Sequence, residues 1–257
     1  MHEWYAAPME GLTGWRWRQV QHEMFGGAAL YVTPFVSPNG NFSFQRKELE
    51  EMDPERNRGI PVVPQILTNR AEYFVWAAKE CRSRGWAQID LNLGCPSGTV
   101  TGKKKGAGLL RQPELLRQLL DGIFDALPDM KISVKTRIGW ERAEEWPALL
   151  ALLETYPICR LTVHPRVRTQ FYKGTADREV FRWTAEHTAL PLCYNGDVTT
   201  VRDLREMGEA FPDAAIMVGR GLVADPSLLR QATGGPAASL EELREAHDRL
   251  YGLYCRD

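Results

Sequence analysis

The chain has 257 residues, 44% hydrophobic and 25% charged, enough for one barrel-sized core and ordinary for a water-soluble domain. Its formal net charge of −1 excludes a global positive field that would recruit nucleic acid, so any RNA-binding surface must be a local patch. Five cysteines without CxxC or Cys/His zinc spacing, no signal peptide, and no apolar run of the ~20 residues a membrane helix needs predict free thiols, no metal, no membrane and a cytoplasmic protein.

Short apolar runs predict strands at 3–7, 29–33, 61–67, 87–91, 131–136, 159–163, 191–194 and 214–218. Amphipathic spacing predicts helices at 14–24, 71–84, 113–126, 144–155, 178–186 and 200–210. The second connection, 34–60, is rich in Pro, Asn, Gly and charge and reads as a long loop with one helical turn. Eight strands alternating with helices predict an α/β fold, a closed (β/α)8 TIM barrel. The alternative is an open doubly wound sheet, weakened because no GxGxxG follows the first strand.

The unusual residues gather where strands end. Pro8-Met9-Glu10 follows the first strand, and Gln65 lies late in the third. Asn92 and Cys95 follow the fourth; Lys135 and Arg137 end the fifth, and His164 and Arg166 the sixth. Asn195-Gly196-Asp197 follows the seventh and Gly219-Arg220-Gly221 the eighth. In a barrel these share the carboxyl-terminal rim, where barrel active sites are built.

Each has a plain alternative. Gly219-Arg220-Gly221 suits an anion, through close backbone approach and a bidentate guanidinium, but could be a turn with a surface arginine. Asn195-Gly196 could be only a left-handed turn. Lys135 either snorkels to solvent or faces an anion such as the electron-rich edge of a flavin. His164 could be a satisfied core histidine. Cys95, between Gly94 and Pro96, stands where core packing does not ask for it. A thiol with a reference pKa of ~8.5 is mostly protonated at neutral pH, so it can be a general acid, or a nucleophile once activated. No Ser/His/Asp order or papain-like flank accompanies it, which favours proton donation. Lys103, Lys104 and Lys105, flanked by Gly102, Gly106 and Gly108, form either a solvated loop or a flexible arm that grips phosphate.

Seven stretches, AAPMEGLTG, VVPQIL, LNLGCPSGTV, SVKTRIG, VHPR, YNGD and MVGRG, resemble the tRNA-dihydrouridine synthases in this order, across 5–221. The resemblance implies an FMN-containing (β/α)8 barrel that reduces the C5=C6 bond of particular uridines in tRNA, with NADPH as reductant. It implies that Pro8, Met9 and Glu10 cradle the flavin, that Gln65 and Lys135 lie at its pyrimidine edge, and that His164 lies against it. Asn195, Gly196, Asp197, Gly219 and Arg220 would hold its phosphate. Asn92, Arg137, Arg166 and the three lysines would serve the RNA substrate, with Cys95 the general acid. The alternatives are an FMN-dependent barrel reductase of a small enone or pyrimidine, or a catalytically silent RNA-binding remnant.

The resemblance divides the chain into a catalytic barrel, 1–235, and a first helix, 236–257, of a C-terminal helical tRNA-binding domain that is otherwise missing. Ser239 and Glu242 form a capping box. Leu240, Leu243, His247, Leu250, Tyr251 and Tyr254 make one stripe on a helix ending at Asp257 without a cap or following partner. A monomer is expected, with self-association possible through that exposed stripe.

Overall fold

The computed structural model describes residues 2–256, so Met1 and the expected helix end at Asp257 lie outside the described residues. Nine parallel strands form one sheet: β1 Trp4–Ala6, β2 Leu30–Val32, β3 Val62–Val63, β4 Gln65–Ile66, β5 Gln88–Leu93, β6 Lys131–Arg137, β7 Arg160–His164, β8 Leu192–Tyr194 and β9 Ala215–Val218. The order is β3-β2-β1-β9-β8-β7-β6-β5-β4. The two ends of the sheet, β3 and β4, are separated only by Pro64, so the nine segments form an eight-membered ring. Proline has no N–H for a ladder, which is why one strand appears as two.

The strand period of two sorts the side chains. Ile89, Leu91 and Leu93 of β5, Ile132 and Val134 of β6, and Leu161 and Val163 of β7 join the main core between strands and helices. A second cluster, Tyr5, Ala7, Val32, Cys193, Ala215 and Met217, collects the alternate residues of β1, β2, β8 and β9 and fills part of the lumen. The alternate residues of β4–β7 are polar: Gln65, Asp90, Asn92, Ser133, Lys135, Thr162 and His164.

The long second connection is more ordered than its composition suggests. It holds a helix, Arg46–Glu51, tied to the first helix, Trp15–Met24, by a buried network. Arg18 donates to Glu51 Oε2 at 2.9 Å and to Asn57 Oδ1 at 2.9 Å. The lysine loop, read as either a solvated loop or a flexible arm, is also held between folded segments. These are a helical turn, Gly98–Thr101, and a 3₁₀ segment, Gly106–Arg111, whose first five residues are buried.

The last helix, Leu240–Cys255, starts on the expected box: Ser239 Oγ accepts the Glu242 N–H at 3.1 Å. It packs on the first helix rather than standing unpartnered. Ala246 joins Val20 and Phe25, with Leu250 and Leu253 against them. The expected stripe is therefore divided. Leu250 turns toward the barrel, Leu243, Tyr251 and Tyr254 stay exposed, and the Tyr254 ring stacks on the Arg16 guanidinium at 4.8 Å.

Candidate active site

The carboxyl ends of the strands open into a cavity of about 400 Å³. Its lining contains Pro8, Met9, Glu10, Gln65, Asn92, Cys95, Lys135, Arg137, His164, Asn195, Gly196, Asp197, Gly219 and Arg220. Sequence reasoning missed Leu12, Pro34, Phe35, Tyr172, Val198, Thr199 and Met217, which share that lining.

The polar floor is one chain of hydrogen bonds. Gln65 Nε2 donates to Asp90 Oδ2 at 2.7 Å, and Asn92 Nδ2 donates to Gln65 Oε1 at 2.7 Å. Asn92 Oδ1 accepts the backbone N–H groups of Gly94 at 3.1 Å and Cys95 at 2.9 Å. Asn92 therefore belongs to β5 rather than following it, and its amide shapes the turn that delivers Cys95. Burial raises the Cys95 pKa, opposed by a hydrogen bond from the Ser97 amide and by the charge of Arg137. The result is a protonated thiol in the cavity wall, suited to give up a proton. Gly106, at φ +53°, lies against that turn. A Cβ there would meet Cys95 O at 2.9 Å and Cys95 Cβ at 3.1 Å.

Lys135 donates to Asn195 Oδ1 at 2.7 Å, and Asn195 Nδ2 donates to Met217 O at 2.8 Å. Asn195 thus orients the lysine. Burial, then the charge of Arg137, pushes the Lys135 pKa down to about 8. An ammonium has three hydrogens to donate, so a half-buried one with a single amide partner suits an electron-rich ligand. His164 Nε2 lies 3.0 Å from Arg166 Nη1. Arginine can only donate, so that nitrogen accepts and the ring proton sits on Nδ1. Burial and then the surrounding cations hold the His164 pKa well below the usual imidazole range, so the ring is neutral.

Asp197 organises the far end. Its carboxylate accepts from Arg166 Nη2 at 2.5 Å, Arg220 Nη2 at 3.0 Å and Ala176 N at 2.8 Å. Burial opposes its ionisation, but the Arg166 and Ala176 bonds and the two positive charges hold its pKa below normal. An anionic carboxylate repels a phosphate, so a phosphate contact here falls to Arg220 and backbone N–H groups. Arg220 is half-exposed, over the Tyr172 ring at 4.9 Å. At Gly196 a Cβ would sit 2.6 Å from Ala176 Cβ, and at Gly219 it would sit 3.3 Å from Met9 Sδ. Glu10 is exposed and bonds Lys47 at 3.4 Å, so its charge stands at the rim.

Four expected substrate contacts lie off the cavity lining. Arg166 is 1% exposed and does not line the cavity; Asp197, His164, and the carbonyls of Lys173 and Gly174 occupy its guanidinium. An arginine two residues past a strand turned inward because a carboxylate lay there to meet it. Lys103, Lys104 and Lys105 also lie off the lining. Lys103 and Lys104 are exposed, whereas Lys105 Nζ donates to Ser37 Oγ at 3.0 Å, tying this loop to the second connection. Arg137 does line the cavity, but its guanidinium donates to the carbonyls of Gly94, Val167 and Phe171 and so pins the loops that flank it. No cluster of three or more His, Cys, Asp or Glu suited to a metal occurs among the described residues, nor any helix long and apolar enough to cross a membrane.

The family model described as dihydrouridine synthase matches residues 5–248. A probable tRNA-dihydrouridine synthase of Rickettsia conorii is 30% identical over 226 residues, 88% of this chain and 67% of that protein. That of Rhizobium leguminosarum bv. phaseoli is 32% identical over 221 residues, 86% of this chain and 68% of that protein. The tRNA-dihydrouridine synthase B of Proteus vulgaris is 30% identical, covering 97% and 80%. Among solved structures, a variant of NCR from Zymomonas mobilis superposes with a TM-score of 0.63 at 15% identity, covering 93% of this chain and 88% of that one. TcOYE with pHBA gives 0.62 at 11% identity, covering 91% and 90%. At these identities the two structures speak for the barrel fold alone.

Proposed function

The chain belongs to the dihydrouridine synthase family, and on that premise we propose that it reduces the C5=C6 bond of a uridine in tRNA, using FMN and NADPH. One observation carries the reading above all: a thiol kept protonated by burial stands in the wall of a cavity whose floor is built of amide and ammonium donors. Membership in the family and the substrate in its relatives' names point the same way. A tRNA substrate would put the protein in the cytoplasm.

The residues present fit FMN. A planar ring needs one apolar wall and donors along its pyrimidine edge. Met217 and Ala7 supply the first, and Gln65 and Lys135 the second. A phosphate needs a guanidinium beside close-approaching backbone, which Arg220 and Gly219 supply. Bound there, FMN would supply hydride chemistry for C6 of uracil. The protein's residues do the rest. Lys135 would offer a positive charge to the ring's pyrimidine edge and favour its electron-rich form. His164, with Nδ1 protonated, would be a neutral donor in the same cavity wall. Asn92 seats the uracil and holds the Cys95 turn. The Cys95 S–H gives its proton to C5.

Duplex or stacked RNA cannot present C5 and C6 to a thiol in a cavity, so the uridine must leave its stack. Tyr172 lines the cavity and is exposed, and Lys103 and Lys104 are exposed on the loop that follows Cys95; we assign all three to RNA rather than to the flavin. The helix Leu240–Cys255 we assign to the tRNA-holding side of the molecule.

The test is direct. Purified protein should be yellow and release FMN. With NADPH and unmodified tRNA it should convert one class of uridine to a product carrying two more hydrogens, read by mass spectrometry of nucleosides. Flavin reduction by NADPH without any tRNA product, but with turnover of a small enone, would overturn the substrate and favour a small-molecule reductase.

A further inference from the structure

Asp90 has no place in the function proposed above, yet it ends the hydrogen-bond chain on which Cys95 rests. It lies in β5, is 2% exposed, and faces the lumen. Ser133 Oγ donates to Oδ1 at 2.7 Å and Gln65 Nε2 to Oδ2 at 2.7 Å. Both partners are neutral. Placing a carboxylate there is costly, and its pKa is pushed up to about 6, mainly by burial. Packing alone would be better served by a leucine.

The chemistry of the chain explains the choice. A side-chain amide can be turned end for end, exchanging a donor for an acceptor. An ionised carboxylate can only accept. With Asp90 at one end, Gln65 must present its NH₂ group to that carboxylate, so its carbonyl faces Asn92. Asn92 must then present its own NH₂ group, and its carbonyl is left for the N–H groups of Gly94 and Cys95. Those N–H groups also have one polarity only. Both ends of the chain thus demand the same sense, and Gln65 keeps one N–H for the cavity that it lines.

We propose that Asp90 is a positioning residue. As an acceptor-only terminus it fixes the direction of the Gln65–Asn92 amide chain, and so holds both the turn that carries the Cys95 thiol and the donor that Gln65 shows to the cavity. It touches neither substrate nor cofactor and acts through those two amides. The proposal rests on the function above only for what the cavity binds. Cys95 reactivity is measured without tRNA or NADPH, so the two readings fail separately.

Two variants separate direction from mere occupancy. Asp90→Leu removes the acceptor. Asp90→Asn keeps one, since Oδ1 can accept from Gln65 while Nδ2 donates to Ser133 Oγ. The readouts are the rate of Cys95 alkylation by iodoacetamide, followed on its peptide by mass spectrometry, and FMN affinity from quenching of flavin fluorescence. Asp90→Leu should speed alkylation by about fivefold or more and weaken FMN by about tenfold, the weight of one or two charge-assisted hydrogen bonds. Asp90→Asn should stay within about twofold of the parent in both. Should Asp90→Leu not fold, Asp90→Asn with Ser133→Ala decides, because it removes the oxygen that tells the new amide which way to point. That pair should move both readouts by about threefold, in the same directions. Parental values in folded Asp90→Leu, or in the double variant, would overturn the proposal. So would Asp90→Asn behaving like Asp90→Leu, since charge rather than direction would then be what matters.

Discussion

The lumen of this barrel has two unlike halves. On β1, β2, β8 and β9 the inward residues are Tyr5, Ala7, Val32, Cys193, Ala215 and Met217. On β4–β7 they are Gln65, Asp90, Asn92, Ser133, Lys135, Thr162 and His164. The backbone geometry is the same and the consequence opposite. The apolar half adds to stability and keeps water out. The polar half carries groups pushed from their ordinary ionisation: Asp90 up to about 6, Lys135 down to about 8, His164 well down. Each half gives the other its effect, because a dry wall strengthens the interactions of the charges facing it. The polar half is where fold stability has been given up for chemistry.

Moving charge across the divide should give the largest effect. Met217→Lys puts an unpaired ammonium in the apolar half and should lower stability by about 4 kcal/mol at neutral pH. Lys135→Met removes one from the polar half and should leave stability equal or higher. Urea melts of both variants check this, and equal losses would mean that the halves do not differ.

The second test is pH. Asp90 has a folded pKa of about 6 against an ordinary 3.8. Between those values the folded chain holds a proton that the unfolded chain has released. Its contribution is therefore fully present below about pH 4 and is lost as pH rises to about 6, by up to about 3 kcal/mol. Asp90→Asn should flatten that part of the stability curve; an unchanged curve would place the Asp90 pKa near its ordinary value.

Cys95→Ala should keep the flavin and its reduction by NADPH, and slow tRNA-dependent reoxidation by about a hundredfold or more. Stopped-flow absorbance separates the two steps. Arg220→Ala should weaken FMN by about tenfold, with unchanged affinity removing it from the phosphate site. The smallest effect belongs to the loop. Lys105→Met should slow turnover by about fivefold at most, and should leave the salt dependence of tRNA binding unchanged. A flatter salt slope would make Lys105 a phosphate contact after all.

Residues on strands were the legible ones. Gln65, Asn92 and Lys135 each interrupt an apolar run, and strand alternation sends them inward. Asp90 and Ser133 carry the same signal, in IDLNL and ISVKT, but their side chains bond each other below the cavity and not at its lining. Tyr172, Phe35 and Leu12 lie in loops, where no period says which way a side chain faces. Arg166 reads from sequence as a rim cation because its partner, Asp197, is 31 positions away. The lysine loop looked mobile because it is rich in glycine. Gly106, Ala107 and Gly108 instead let it fold back, the Ala107 N–H reaching Cys95 O at 3.1 Å. The last helix showed its stripe, but which part is covered depends on Val20 and Phe25 of the first helix.

The break at Pro64 makes this barrel a ring with one compliant link. Neither Pro64 nor Pro34 brings an N–H to the seam, and the Gln65 N–H ends on Thr33 Oγ1 at 3.0 Å rather than on a carbonyl. A hydroxyl can rotate away from its donor while the backbone stays still; a carbonyl in a strand cannot. Val36 rejoins the strand just beyond, its N–H reaching Gln65 O at 2.8 Å, so any give is confined to the step from Thr33 to Phe35 beside Pro64. The Gln65 amide, though fully buried, should exchange with deuterium sooner than the amides of β5, β6 and β7.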